Sequence, residues 1–259
     1  MSAGRAPHRP LRILLAGESW SSYGINVKGF NAYYTGFYDE GHQPLTEALG
    51  SAGHDVTYLP NHLAATEFPR TVEALDAWDV VILSDLGSDT LLLHPDTFRR
   101  SRPTPNPLVA LRDWVVGGGG LLMIGGYMSF SGYGGAARYG MTPLADVLPV
   151  TLLGQDDRVE TPEGVRPEPT SNDPDGVLAS IEGPWPPLLG YNRLIARADA
   201  TVLLRRDDDP FLTVARMGRG RSAAFASDCS PHWGSPDFIA WPHYGRFWCQ
   251  LVDWLAAGD

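Results

Sequence analysis

An apolar run bracketed by glycines constrains this chain more than any other segment: Gly117-Gly118-Gly119-Gly120, then Leu121-Leu122-Met123-Ile124, then Gly125-Gly126. Consecutive large apolar residues with no polar alternation read as a strand covered on both faces, the pattern of a parallel strand in an α/β protein. In open α/β sheets ligands sit outside the carboxyl ends of the strands, where glycines let the backbone turn sharply and approach a substrate. A strand, a Gly-Gly turn and a short polar residue are also the parts of a nucleophile elbow, which holds Ser or Cys at the top of the sheet. Here the turn carries Tyr127, Met128 and Ser129, and no cysteine.

Around that strand the chain reads as further α/β units. Leu11 to Ala16, His54 to Leu59, Trp78 to Leu83 and Ser222 to Ser227 read as strands, with Thr201 to Arg205 and Phe211 to Arg216 as two more. Short helices are expected at His42 to Leu49, Thr71 to Ala77 and Thr142 to Leu148, and an amphipathic helix at Pro107 to Val116 with Leu108, Leu111, Trp114 and Val115 on one face. Tyr244 to Ala256 repeats Phe247, Trp248, Leu251 and Leu255 at helical spacing and closes the fold. Ser21 to Tyr38, rich in Gly, Tyr, Phe and Asn without a clean period, is expected as a long loop beside the active face, because loops of that length are usually functional. Residues 1–10 are expected as a disordered tail. Residues 11–259 form a single domain with a loop-rich insertion near 150–190, where Pro, Gly, Asp and Glu leave too few apolar residues for a second core.

Composition narrows the function. With 30 acidic against 20 basic residues the formal charge is −10, so binding nucleic acid through counterion release has no basic footprint. No apolar run spans a bilayer and Met1 to Pro10 lacks an apolar leader core, so the expectation is a cytoplasmic protein without a membrane partner. Cys229 and Cys249 are too few for a disulfide framework and lack metal-ligand spacing, and the histidines show no H-x-H or H-E-x-x-H pattern, so no metal site is predicted. No phosphate loop opens a helix, and no cofactor is called for.

Several segments taken together, Gly17-Glu18-Ser19-Trp20, Lys28-Gly29-Phe30, Ile82-Leu83-Ser84-Asp85-Leu86-Gly87, Gly125-Gly126-Tyr127-Met128-Ser129-Phe130, Ser227-Asp228-Cys229-Ser230-Pro231-His232-Trp233 and Trp254-Leu255, resemble the putative glutamine amidotransferase family of bacterial cytoplasmic proteins. The resemblance runs from about Leu11 to Leu255. It implies the class I glutamine amidotransferase-like fold, shared with ThuA-like proteins: a flavodoxin-like, mainly parallel sheet with helices on both faces. True class I amidotransferases hydrolyse glutamine through a cysteine at the elbow, served by a His and a Glu after a later strand. In this chain the elbow position falls on Tyr127 or Met128, and neither a phenol of pKa about 10 nor a thioether replaces a thiolate. His232 stands where the triad histidine would, but Trp233 and Gly234 follow it and the acid is missing.

The residues then allow three readings. The leading one is an amidotransferase-like protein without the elbow cysteine, its cleft binding or transforming a small polar metabolite beside Glu18, Ser19, Trp20, Asp85, Gly126, Tyr127, Met128, Tyr191 and Trp233. Aromatic residues at that edge (Trp20, Tyr23, Phe30, Tyr127, Tyr133, Tyr191, Trp233) suit stacking on a sugar or a flat metabolite. The second is a hydrolase or amidotransferase with a relocated nucleophile, Cys229 or Ser129, with His232 as base and Asp85 or Asp228 orienting it. Against these stand blander roles: Cys229 buried behind the sheet, Ser129 capping a turn, Glu18 and Asp85 capping helices or paired to Arg138 or Arg193. The third is a non-catalytic regulatory or assembly protein, a homo-oligomer whose interface is the aromatic rim.

Overall fold

The computed structural model describes residues 9–258. In chain order its elements are β1 (Arg12–Gly17), β2 (Ser19–Lys28), β3 (Asn31–Glu40), α1 (Gln43–Ser51), β4 (Asp55–Leu59), α2 (Asn61–Glu67), α3 (Val72–Leu75), β5 (Val80–Ser84), α4 (Ser88–Leu92), α5 (Pro95–Arg100), α6 (Pro107–Val116) and β6 (Gly120–Ile124). Three short 3₁₀ turns follow, at Tyr133–Gly135, Tyr139–Met141 and Pro143–Val147. Then come β7 (Val150–Thr151), β8 (Arg158–Val165), β9 (Glu168–Pro169), β10 (Leu188–Asn192), β11 (Ile195–Ala196), β12 (Thr201–Arg206), β13 (Asp209–Met217), β14 (Gly220–Phe225), α7 (Pro236–Ile239) and α8 (Tyr244–Ala256).

Among the described residues the main sheet has eight strands in the order β4-β1-β5-β6-β14-β13-β12-β9. Strands β4, β1, β5, β6 and β14 run parallel, and β13, β12 and β9 extend the sheet antiparallel. The parallel part has the flavodoxin order 2-1-3-4-5. Every residue of β5, β6 and β14 is buried, as expected of strands covered on both faces, although β14 also buries Arg221 and Ser222. Helix α1 packs with α8, and α6 with α3 and α4, forming the two helical layers. Helix α6 starts where the sequence says it should: Asn106 accepts from Leu108 N at 2.9 Å and Pro107 occupies the first turn, so neither residue leaves a needed donor unpaired. On α8 the side chains of Phe247, Trp248, Leu251 and Leu255 are completely buried. Each contributes roughly 1.5–3 kcal/mol by leaving water.

Three expectations change. Ser21 to Tyr38 is not a loop but most of an antiparallel hairpin, β2 paired with β3 from Ser19↔Glu40 to Lys28↔Asn31 around Gly29-Phe30, with Gly29 at φ +62°. The alternation Tyr23-x-Ile25-x-Val27 was its signal, blurred by glycines on either strand. The stretch near 150–190 contains β8, paired antiparallel with β10 through a register shift between Leu188 and Gly190, and β9 at the edge of the main sheet. Pro162 and Gly164 hid β8 from a propensity reading, and they fall inside the irregular part of that ladder. Of the expected N-terminal tail, residues 1–8 lie outside the described residues, whereas Arg9 is anchored to Asp79 at 2.7 Å.

Candidate functional site

The parallel strands place one point above all others. From β1 the chain crosses to β4 on one side and then to β5 on the other, so the carboxyl ends of β1 and β5 form the switch point at which α/β sheets bind ligands. Glu18 follows β1 and Asp85 follows β5, both in left-handed backbone at φ +47° and +46°. Such conformations cost of order 1 kcal/mol or more for a residue with a side chain and persist where their surroundings fix them. Glu18 N donates to Ser84 O at 2.9 Å, Gly41 N to Glu18 O at 2.9 Å and Tyr58 Oη to Glu18 O at 3.2 Å. Asn61 Nδ2 donates to Ser19 O at 2.6 Å and Asp85 O at 3.1 Å, while its N–H donates to Ser19 Oγ at 2.8 Å. Ser19, expected to meet ligand, is therefore a buried brace between the two strand ends. Gly17 must be glycine, at φ +117° with Ser84 O only 1.7 Å from where a Cβ would stand.

Beneath this point lie three acids and a thiol. Glu18, Asp228 and Cys229 are buried; Glu18 accepts from Ser84 Oγ and, at 3.0 Å, from Ser230 Oγ. Burial, then the neighbouring Asp85, pushes the Glu18 carboxyl up to about 7. Asp228 is raised well above the usual carboxylate range by burial and then by Glu18 and Asp85. Its Oδ1 accepts from Ser230 N at 3.1 Å, so Asp228 caps the turn leading to His232. The Cys229 thiol is raised too, by burial and by Glu18 and Asp228, and its Sγ sits 3.9 Å from Ser84 Oγ. This is the opposite of the electropositive, accessible setting of a reactive thiolate. Glu18, Asp228 and Cys229 offer ligand atoms within 4.8 Å of one another and could hold a metal ion, a grouping that no sequence spacing reveals. A cation there would have to displace the protons that burial favours.

The elbow is occupied by the protein itself. Met128 N donates to Asp85 Oδ1 at 2.5 Å, and Tyr127 N also bonds that carboxyl. Gly126, at φ +150°, has Asp85 Oδ1 2.8 Å from where a Cβ would stand, and its N–H donates to Asn192 Oδ1 at 3.0 Å. Gly125 N goes to Phe225 O at 2.8 Å and Ser227 O at 2.9 Å. The donors from Gly125 to Met128 that could cradle an oxyanion are thus already bonded. Ser129, expected as an alternative nucleophile, is buried, donates to Ile124 O at 2.5 Å and accepts from Asp85 N at 3.0 Å, so its hydroxyl braces the turn. Asn192 and Asp157, unremarked in the sequence, complete the support: Asn192 Nδ2 donates to Asp157 Oδ1 at 2.8 Å, and Asp157 accepts from Ser131 N and Gly132 N, each at 2.9 Å. Asn61, Asn192 and Asp157 lie in separate, ordinary-looking segments, and only their bonds identify them.

Above Asp85 the rim is aromatic. The exposed His232 ring lies 4.9 Å from Trp20 and 5.4 Å from Tyr127, and Tyr127 meets Trp233 at 5.6 Å and Tyr133 at 6.3 Å. Arg158 stacks on Tyr127 and Tyr133 at 4.7 and 4.2 Å, and Glu160 accepts from Tyr127 Oη and Trp233 Nε1, each at 3.0 Å. Burial raises the Asp85 carboxyl, with the elbow donors and His232 opposing. Tyr191 does not join this set: it is buried against Phe211 at 4.8 Å and donates to Asp209 at 2.7 Å. Tyr23 and Phe30 stand on the hairpin instead. Arg138 and Arg193 pair with Asp89 and Asp209, not with Glu18 or Asp85.

No helix among the described residues is long and apolar enough to cross a membrane. A comparison with curated proteins finds no match. Among solved structures the chain is similar to a cytoplasmic protein from Salmonella typhimurium, at 41% identity over 95% of this chain and 99% of that one with a TM-score of 0.90. It is also similar to a second cytoplasmic protein, from Salmonella typhimurium LT2, at 44% identity over 95% and 99% with a TM-score of 0.91. A ThuA-like protein from Parabacteroides merdae shares the fold, at 10% identity over 96% and 91% with a TM-score of 0.55. With a family model matching residues 12–257 on this flavodoxin-like sheet, the chain belongs to the Putative glutamine amidotransferase family, the GATase1-like proteins.

Proposed function

We propose that this is a cytoplasmic member of the family that binds a small polar metabolite at the carboxyl ends of β1, β5 and β6, and that it does not hydrolyse glutamine through a thioester. One observation carries the reading. The elbow's N–H groups hold the Asp85 carboxyl and its side chain is Tyr127, so neither a nucleophile nor a free oxyanion site is offered. Trp20, Tyr127 and Tyr133 supply apolar faces for a sugar-like or flat ligand, and Asp85 and His232 supply polar contacts. A relocated nucleophile has less support, because Cys229 and Ser129 are buried and already bonded.

The test measures ammonia release from glutamine by purified protein, with His232→Ala alongside. No release above background is expected; release that vanishes in the variant would overturn the proposal. In parallel, thermal shift against a panel of monosaccharides and amino acids should find a stabilising ligand whose effect is lost in Trp20→Ala.

A further inference from the structure

The β2–β3 hairpin is a ribbon exposed along most of its length, with one face more apolar than the other. Cross-strand partners share a face, so Tyr23, Ile25 and Val27 of β2 lie with Tyr34 and Tyr38 of β3. The opposite face is mixed: Ser22, Gly24, Asn26 and Lys28 with Asn31 and Thr35 stand beside Tyr33 and Phe37, and there Lys28 Nζ lies 5.8 Å over the Tyr33 ring and Asn26 bonds Thr35 at 3.4 Å. On the more apolar face, exposure runs from 45% at Tyr38 through 67% at Val27 and 68% at Ile25 to 77% at Tyr34 and 85% at Tyr23. The root touches the body, where Tyr38 meets His62 of α2 at 5.2 Å, Trp20 meets His232 at 4.9 Å and Asn61 holds Ser19. A two-stranded ribbon is marginal alone in water and needs a covered apolar face.

We propose that this face pairs with the same face of a second copy of the chain. Side chains of this size at these exposures present at most on the order of 800 Å² per copy, which reaches the per-partner area of a standard stable interface when most of it is buried. Charge favours a second copy over other occupants. The protein carries a net −10, yet from Ser19 to Tyr38 the only charged residue is Lys28, on the opposite face. Two such molecules can therefore meet here without the repulsion found elsewhere, whereas an anionic lipid surface or a nucleic acid would find no basic patch. Face-to-face packing of two ribbons about a two-fold axis is self-complementary, and it seats the interface beside the root where Trp20 borders the rim.

Sedimentation of the full chain from about 1 to 100 µM, across the micromolar range where such an area gives association, should show at least twice the 28.2 kDa chain mass. Substituting the facing pair, Ile25→Lys with Tyr34→Lys, should raise the dissociation constant about 100-fold or more, with the melting curve of the isolated chain unchanged. Asn26→Lys, on the opposite face, should leave association intact. A wild-type chain that stays monomeric, a dimer that survives the double substitution, or equal disruption by Asn26→Lys would each overturn the proposal. So would a monomer that floats with neutral phosphatidylcholine vesicles, which would assign the face to a membrane surface.

Discussion

Replacing Glu18 with Gln isolates the electrostatic cost of the buried acids. The Glu18 carboxyl is moved from 4.5 to about 7, first by burial and then by Asp85. At about 1.4 kcal/mol per pKa unit, its ionised form is about 3 kcal/mol less favourable in the native protein than in the unfolded chain. An acid with a raised native pKa keeps its proton in the folded state while the unfolded chain has lost it. Stability therefore falls as pH rises from 4.5 toward about 7, and the full cost applies above that window. Gln keeps the geometry of the neutral acid, accepting from Ser84 and donating to Ser230. Denaturant unfolding followed by circular dichroism between pH 5 and 8 should show the variant gaining on wild type as pH rises, by about 3 kcal/mol at pH 8, equivalent to roughly 6–12 °C in melting temperature. Asp85 and Asp228 are shifted the same way, so the variant keeps a shallower slope of its own. If the two proteins lose stability in parallel from pH 5 to 8, Glu18 does not titrate there and the argument fails.

Asn192→Ala removes the acceptor of Gly126 N and the donor to Asp157 in a fully buried site. It should cost about 2–4 kcal/mol, read as a lower denaturant midpoint at unchanged slope; a midpoint within error of wild type would mean that the elbow does not need this support. Cys229, with no exposed surface, should stay unmodified by a thiol reagent in the native protein and react once denaturant is added. Rapid native labelling mapped to the Cys229 peptide would return it to the list of nucleophiles.

How much of this was legible follows from the range of each signal. Burial on both faces leaves its mark within a few residues, so Leu121 to Ile124 and Trp78 to Leu83 announced buried parallel strands, and helical spacing announced α6 and α8. The same runs placed Glu18 and Asp85 at strand ends and showed that no cysteine stands at the elbow. The hairpin was harder, because a ribbon packed on its own chain only near its root has little core to sharpen its alternation. Ser230 bonds Glu18 across 212 positions, and Asn192 bonds Gly126 across 66. No local pattern carries such pairings; the first exists because the sheet order brings the ends of β1 and β14 near one another, and the second because Asn192 N bonds Ala226 O just past β14. The sequence by itself determined the buried parallel strands, the helices α6 and α8 and the absence of a cysteine between Gly125 and Phe130, because each is a property of neighbours along the chain. Only the tertiary structure decided that three acids lie close together under the switch point, that Asp85 fills the elbow and that the ribbon is left exposed, because burial and bond direction are set by segments far apart.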